Sequence, residues 1–259
     1  MQVGAAIGRV LADLGVRQAF GVVGSGNFHV TNALIDAGAG FVAARHECGA
    51  ATMADAYGRL SGRVAALTVH QGCGLTNAMT GIAEAAKSRT PMIVLAAEAN
   101  DPRSNFYVDQ EALARSVGAV SMRVTSAADA VGVAVAAYRT ALDDRRTVVL
   151  NLPLAAQAEE LAEDWTLPAA AVPAVVTPRA EDVERLAAEL AASRQPVFVA
   201  GRGARSHASR DALRSASAPV RCWRPVPRRR GCSRTTPGRW TCRAASPRPW
   251  PLSSSAAPI

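Results

Sequence analysis

Between Gln18 and Asn151, short apolar runs return at regular intervals, each separated from the next by a stretch of helical spacing and a few turn residues. The run from Val64 to Val69 is the clearest, since Thr68 is its one polar residue and it is too short for an ordinary helix. A strand covered on one face alternates apolar with polar side chains, whereas a strand covered on both faces has no polar side to show. Parallel strands need a long return connection, which a helix supplies, and right-handed crossovers lay such helices on both faces of the sheet. The chain is therefore expected to be α/β, with a doubly wound parallel sheet.

In order, the pattern predicts a helix over Met1 to Leu14, with Gly15 as its stop, and a strand from Gln18 to Val23. The turn Gly24 to Asn27 leads into a helix near Phe28 to Ala37, then a strand over Phe41 to Ala44. A small-residue helix follows Glu47 as far as Leu60. After the strand Val64 to Val69 come a helix over Thr76 to Lys87 and a strand over Pro91 to Ala97. An irregular polar segment from Asn100 to Asp109 precedes a short helix, a strand near Val120 to Val124, a helix over Ala127 to Leu142, and a strand over Thr147 to Asn151. Pro153 is expected to close the sheet, giving a first domain over 1–160.

Residues 161–179 read as a linker, because Pro, Ala and Val crowd there without a period. Residues 180–219 read as the opening of a second α/β domain: a helix over Glu181 to Ala192, a strand over Pro196 to Ala200, a glycine turn, and a helix over Ser209 to Ser215. At 220 the texture changes. The last 39 residues hold nine Arg, seven of the 15 Pro and three of the four Trp, with no Asp, Glu or Lys. The formal charge of +8 comes from this tail, since the rest carries 20 basic against 21 acidic residues. Such a composition is what a GC-rich coding sequence yields out of frame, so 220–259 is expected to be a disordered, non-native end. Two functional readings of the tail are weaker. Cys222, Cys232 and Cys242 lack the short paired spacing of a zinc site. The Arg-rich stretch with Trp223 and Trp240 could meet nucleic acid, but composition alone argues it. Cys48 and Cys73 are expected as reduced thiols. With neither a signal peptide nor an 18-residue apolar run, the expected location is the cytoplasm, with no membrane partner.

The stretch Arg45 to Asn77 carries the chemistry. Arg45-His46-Glu47 places a carboxylate where a strand gives way to a helix, and His70-Gln71-Gly72-Cys73-Gly74-Leu75-Thr76-Asn77 places a glycine-rich turn one βα unit later. With Phe20-Gly21 before the first glycine turn, Ala54 to Arg59 closing the helix after Glu47, and Thr80 to Ala83 after Asn77, this order of motifs resembles the N-terminal pyrimidine-binding domain of thiamine-diphosphate-dependent enzymes. The likeness is to the acetolactate synthase and benzoylformate decarboxylase group. It covers roughly residues 1 to 155, and residues 180–219 resemble the start of that family's central domain.

The resemblance implies a role for Glu47: in that family the matching glutamate hydrogen-bonds a ring nitrogen of the cofactor's aminopyrimidine and so helps the cofactor to lose its own thiazolium proton. A carboxylate so used is expected to be buried; read as an ordinary residue, Glu47 would be a helix N-terminal acid. Gly24, Ser25, Gly26, Gly72 and Gly74 are the expected cofactor-binding turns, with positive φ and close backbone approach as the reason for glycine. Asn77 is either a cofactor contact or a helix N-cap. Gln110 matches the active-site glutamine of the synthases, and His70 matches an active-site histidine of the decarboxylase branch, with a capping role as its alternative. His46 reads as structural. Gly26 departs from the serine found there in the decarboxylases, which favours a synthase.

The resemblance further implies thiamine diphosphate as cofactor, a 2-oxo acid as substrate, FAD as an option of the synthase branch, and a homodimer or partner chain. Magnesium is expected only with the family's C-terminal diphosphate-binding domain, whose Gly-Asp-Gly motif this sequence does not contain. The expected function is a thiamine-diphosphate-dependent lyase or carboligase, most like acetolactate synthase, C-terminally truncated and inactive as an isolated chain. A decarboxylase and a non-catalytic remnant or interaction subunit are the alternatives.

Overall fold

A computed structural model of the chain describes residues 1–162, 164–167, 177–194, 198–202, 209, 211 and 223–225. The chain divides into two units, Met1–Pro173 and Ala174–Ile259.

In the first unit, α1 (Val3–Leu14) leads into β1 (Gln18–Gly21), and α2 (Phe28–Asp36) into β2 (Gly40–Ala43). Then come α3 (Glu47–Ser61), β3 (Ala65–Val69), α4 (Cys73–Lys87) and β4 (Met92–Glu98). The unit continues with α5 (Gln110–Ser116), β5 (Val120–Arg123), α6 (Ala127–Leu142), β6 (Thr147–Pro153) and α7 (Leu154–Ala158). The six strands form one all-parallel sheet in the order β2-β1-β3-β4-β6-β5.

The unbroken apolar strands are explained by where their side chains go. Ala66, Ile93, Leu95, Val148 and Leu150 join a core built with α1, α2 and α6. Their neighbours Ala65, Leu67, Val69, Met92, Val94 and Ala96 join a second core built with α3 and α4 on the opposite face. Every residue of β3, β4 and β6 is buried, so each strand contributes apolar area to both layers. Leu161, Trp165 and Leu167, expected as linker, pack against the first of these cores.

Small residues let the helices approach closely. At Gly81 in α4 a methyl group would stand 2.5 Å from the Ala51 side chain of α3, and at Gly58 in α3 it would stand 2.7 Å from Thr90. Side by side, α3 and α4 are also cross-braced. Arg59 pairs with Asp55 at 2.6 Å and with Glu84 at 2.9 Å, and Thr90 donates to Asp55 at 2.6 Å. Burial alone would lower the Arg59 pKa, but hydrogen bonds to Asp55 and Glu84 outweigh it and hold the guanidinium above its ordinary value.

Several boundaries shift by a residue or two from the sequence expectation, β1 for instance ending at Gly21 rather than Val23, and two of the differences have a visible cause. Helix α4 begins at Cys73 rather than Thr76, because Gly72 at φ 65°, ψ −111° turns the chain directly off β3. Pro153 is the last residue of β6, and α7 follows at once without an intervening loop.

In the second unit, α8 (Ala180–Ala192) has no buried residue, and β7 (Phe198–Ala200) pairs in parallel with β8 (Trp223–Pro225). Three residues of the expected irregular tail thus form a strand. The three tail cysteines and almost all of the helix expected over Ser209 to Ser215 lie outside the described residues. No helix among the described residues is long and apolar enough to cross a membrane.

Candidate functional site

In an open α/β sheet the connections leaving two adjacent strands toward opposite faces part at the carboxyl edge and leave a crevice there. Here the parting lies between β1, whose connection enters α2 on one face, and β3, whose connection enters α4 on the other. The turns at residues 22–27 and 70–72 border it.

The first turn is held by Asn27, which is buried. Its side-chain oxygen accepts from Gly24 N at 2.7 Å, and its amide donates to Val22 O at 3.1 Å and to Thr68 Oγ1 at 2.8 Å. Asn27 therefore ties the loop to β3. The glycines serve the same packing. A methyl group at Gly24 would stand 2.9 Å from the His70 ring; one at Gly26 would overlap the Gln71 amide; one at Gly72 would meet the Phe106 carbonyl oxygen at 2.5 Å. Of the four motif glycines, Gly72 has positive φ and Gly24, Gly26 and Gly74 do not. The expectation of left-handed turns at all four is corrected. The other three are glycine because neighbouring chain fills the space of a Cβ, at 3.1 Å from the His70 side chain in the case of Gly74.

Glu47 opens α3 and is half-buried rather than fully buried. Its Oε2 accepts from Asn77 Nδ2 at 3.1 Å, and Oε1 lies 3.7 Å from where a Cβ on Gly74 would be. Asn77 lies one turn inside α4, whose N-cap is Gly72, so the N-cap reading of Asn77 is replaced by a contact with the glutamate. His46 caps α3, its Nδ1 accepting from Cys48 N at 3.1 Å.

His70 follows β3 and packs its ring against Phe106, with centroids 5.5 Å apart. Its Nδ1 is buried and has no hydrogen-bond partner. Gln110 is the first residue of α5, after the N-cap Asp109, and is 1% exposed. Its Nε2 donates to Ala97 O at 2.7 Å, while its Oε1 is buried without a partner. Ser25 is exposed on the first turn.

The candidate residues thus form one connected edge. Asn77 holds Glu47; Gly74 lies between Glu47 and His70; Gly24 packs on His70; Gly26 lies between Gln71 and Ala97; Ala97 holds Gln110. The sequence reasoning passed over Gln71, which is 5% exposed with its Oε1 unpartnered. A polar residue between the last buried strand residue and the motif glycine was the available signal. It also passed over Glu98, which is buried at the end of β4 and paired with Arg123 on β5 at 2.7 Å. The hydrogen bonds to Glu98 raise the Arg123 pKa above its ordinary value despite partial burial.

The donor set fits an aminopyrimidine. One carboxylate oxygen is held by Asn77, and the other borders a glycine, where a flat ring can approach a proton-accepting atom. No three His, Cys, Asp or Glu side chains come together as a metal-ligand set among the described residues.

The family described as "Thiamine pyrophosphate enzyme, N-terminal TPP binding domain" matches residues 1–119. A probable 2-ketoarginine decarboxylase of Pseudomonas aeruginosa is 32% identical over 210 residues, covering 78% of this chain and 37% of that protein. A catabolic acetolactate synthase of Raoultella terrigena is 32% identical over 193 residues, 72% of this chain and 34% of that protein. The chain therefore spans little more than a third of the length of these relatives. Among solved structures, a thiamine diphosphate-dependent 4-hydroxybenzoylformate decarboxylase of Rhodococcus jostii shares the fold. Its TM-score is 0.66 at 23% identity, over 77% of this chain and 39% of that one.

Proposed function

Residues 1–119 belong to the N-terminal TPP-binding domain of the thiamine pyrophosphate enzymes, and from that premise we propose that this chain supplies the pyrimidine-activating half of a lyase or carboligase site for 2-oxo acids, acetolactate synthase-like in type. The observation that carries the proposal is Glu47, tethered by Asn77 at 3.1 Å with its second oxygen beside Gly74. Thiamine diphosphate, when bound, supplies the carbanion chemistry. The chain's own residues do the rest. Glu47 would meet a pyrimidine ring nitrogen through Oε1, the oxygen that Asn77 leaves free, and Asn77 fixes the carboxylate's rotamer. The turns at Gly24–Gly26 and Gly72–Gly74 form the walls, and His70 and Gln110 face the substrate. The site also needs a diphosphate-binding part, where magnesium belongs; assembly as a homodimer or with a partner chain is part of the same reading, and FAD stays an option of the synthase type.

A 2-oxo acid decarboxylase is the second reading. It is favoured by the buried, unpartnered Nδ1 of His70, a group able to relay a proton at the substrate, and by the similarity to a probable 2-ketoarginine decarboxylase. Saturation-transfer NMR tests the main proposal. The pyrimidine protons of thiamine diphosphate should receive magnetisation from the wild-type chain, and Glu47→Ala should weaken binding by about tenfold or more. Equal transfer to both proteins would refute it.

A further inference from the structure

Buried polar atoms are almost always hydrogen-bonded, and those that are not call for a specific explanation. Here Gln71 Oε1 and Gln110 Oε1 are both buried and unpartnered, on side chains 5% and 1% exposed. Gln71 packs on Gly26, and Gln110 is bonded to Ala97, whose side chain also crowds Gly26. Gly26 has no room for a Cβ because the Gln71 amide and the Ala97 side chain fill the space, and the Ala97 carbonyl fixes Gln110 by accepting from its Nε2 at 2.7 Å. The Gln110 amide cannot reverse without losing that bond, so its oxygen stays turned away from the β4 backbone. Two amide oxygens cannot satisfy one another, since both only accept. Whatever satisfies them brings N–H or O–H groups to the carboxyl edge of β3 and β4.

We propose that Gln71 is a specificity-determining residue. Its amide oxygen, with that of Gln110, accepts hydrogen bonds from the substrate's side chain, so that the site selects 2-oxo acids ending in a hydroxyl, amino or guanidinium group over apolar ones. The inference rests on the reading of the crevice as a 2-oxo acid site. Its energetic basis is the asymmetry of buried polar groups: an apolar side chain leaves both oxygens unpaired, whereas a donor-ended one removes that penalty. Gly26 belongs to the same device, because any side chain there would displace the Gln71 amide.

The test compares 5-hydroxy-2-oxopentanoate with its isostere 2-oxohexanoate, binding to the full chain being measured by NMR titration in the presence of thiamine diphosphate and magnesium. Wild type should prefer the hydroxy acid by about tenfold. Gln71→Met, of similar volume but without the acceptor, should lose that preference while melting at or above the wild-type temperature. Gln71→Glu, which keeps acceptor oxygens, should retain it. Equal binding of both acids by wild type, or an unchanged preference in Gln71→Met, overturns the role of Gln71 and leaves the crevice a 2-oxo acid site, its glutamines satisfied by water. Binding of neither acid overturns both readings.

Discussion

Replacing glycine by alanine inside a helix ordinarily stabilises it by about 0.5–1 kcal/mol, because glycine loses more backbone freedom on folding. At Gly81 the opposite should hold. A Cβ there would stand 2.5 Å from the Ala51 side chain, 3.1 Å from the Ala51 carbonyl carbon and 3.2 Å from Thr52 N. The last two are backbone atoms of α3, so relief requires the helices to separate. Overpacking of this kind costs about 1–3 kcal/mol, which leaves Gly81→Ala less stable by up to about 2.5 kcal/mol, and by about 1 kcal/mol at mid-range, once the helical gain is subtracted. For a chain of this size that is a fall of about 2–4 °C in melting temperature at mid-range and of up to about 10 °C at most. Gly132→Ala in α6 is the control, since nothing lies within 4 Å of its Cβ position, and it should melt about 1–4 °C higher. Differential scanning calorimetry of both variants decides the matter. A stabilised Gly81→Ala would refute the claim that close contact between α3 and α4 sets the position of Glu47 against Asn77.

Asn27→Ala should cost about 2–4 kcal/mol in urea denaturation, because it leaves Gly24 N and Val22 O without this partner and Thr68 with Thr31 alone. Asp129, which caps α6 by accepting from Thr125 Oγ1, Ser126 N and Thr125 N, is pulled upward by burial, but these hydrogen bonds, the Thr125 hydroxyl's first, prevail and hold its pKa below the ordinary value. The unfolded chain therefore binds the proton first as pH falls. The cap's contribution is complete above about pH 4 and is lost as pH drops through the folded value. Asp129→Asn should accordingly lower stability by about 0.5–2 kcal/mol at pH 7, with the difference from wild type closing in melts below pH 4. Asn77→Ala should leave the melting temperature almost unchanged, because the residue is exposed, yet weaken thiamine diphosphate binding about three- to tenfold in NMR titrations by untethering Glu47.

The sheet was legible because double burial writes itself as unbroken apolar runs, and the residues of β3 and β4 send alternate side chains into two cores. The start of α4 was not, since it depends on the single conformation of Gly72. Likewise α7 spans five residues and offers no period to read. Glu47, His70 and Gln110 were nameable from motif order, and the structure brings them to one edge. What each touches was not nameable. The Glu47–Asn77 hydrogen bond depends on how closely two helices pack, which Gly81 and Ala51 decide, and Gln71 gains meaning only through its contact with Gly26, which Ala97 also crowds.

The central claim is a proton contact between Glu47 and the cofactor's pyrimidine ring. It is tested most directly by nitrogen NMR of thiamine diphosphate labelled with 15N at the ring nitrogen opposite the glutamate, titrated with wild-type chain and with Glu47→Gln. The account predicts that wild type moves this resonance toward its protonated position and that Glu47→Gln, whose amide can donate a hydrogen bond but cannot transfer a proton, moves it far less. The same displacement with both proteins would contradict it.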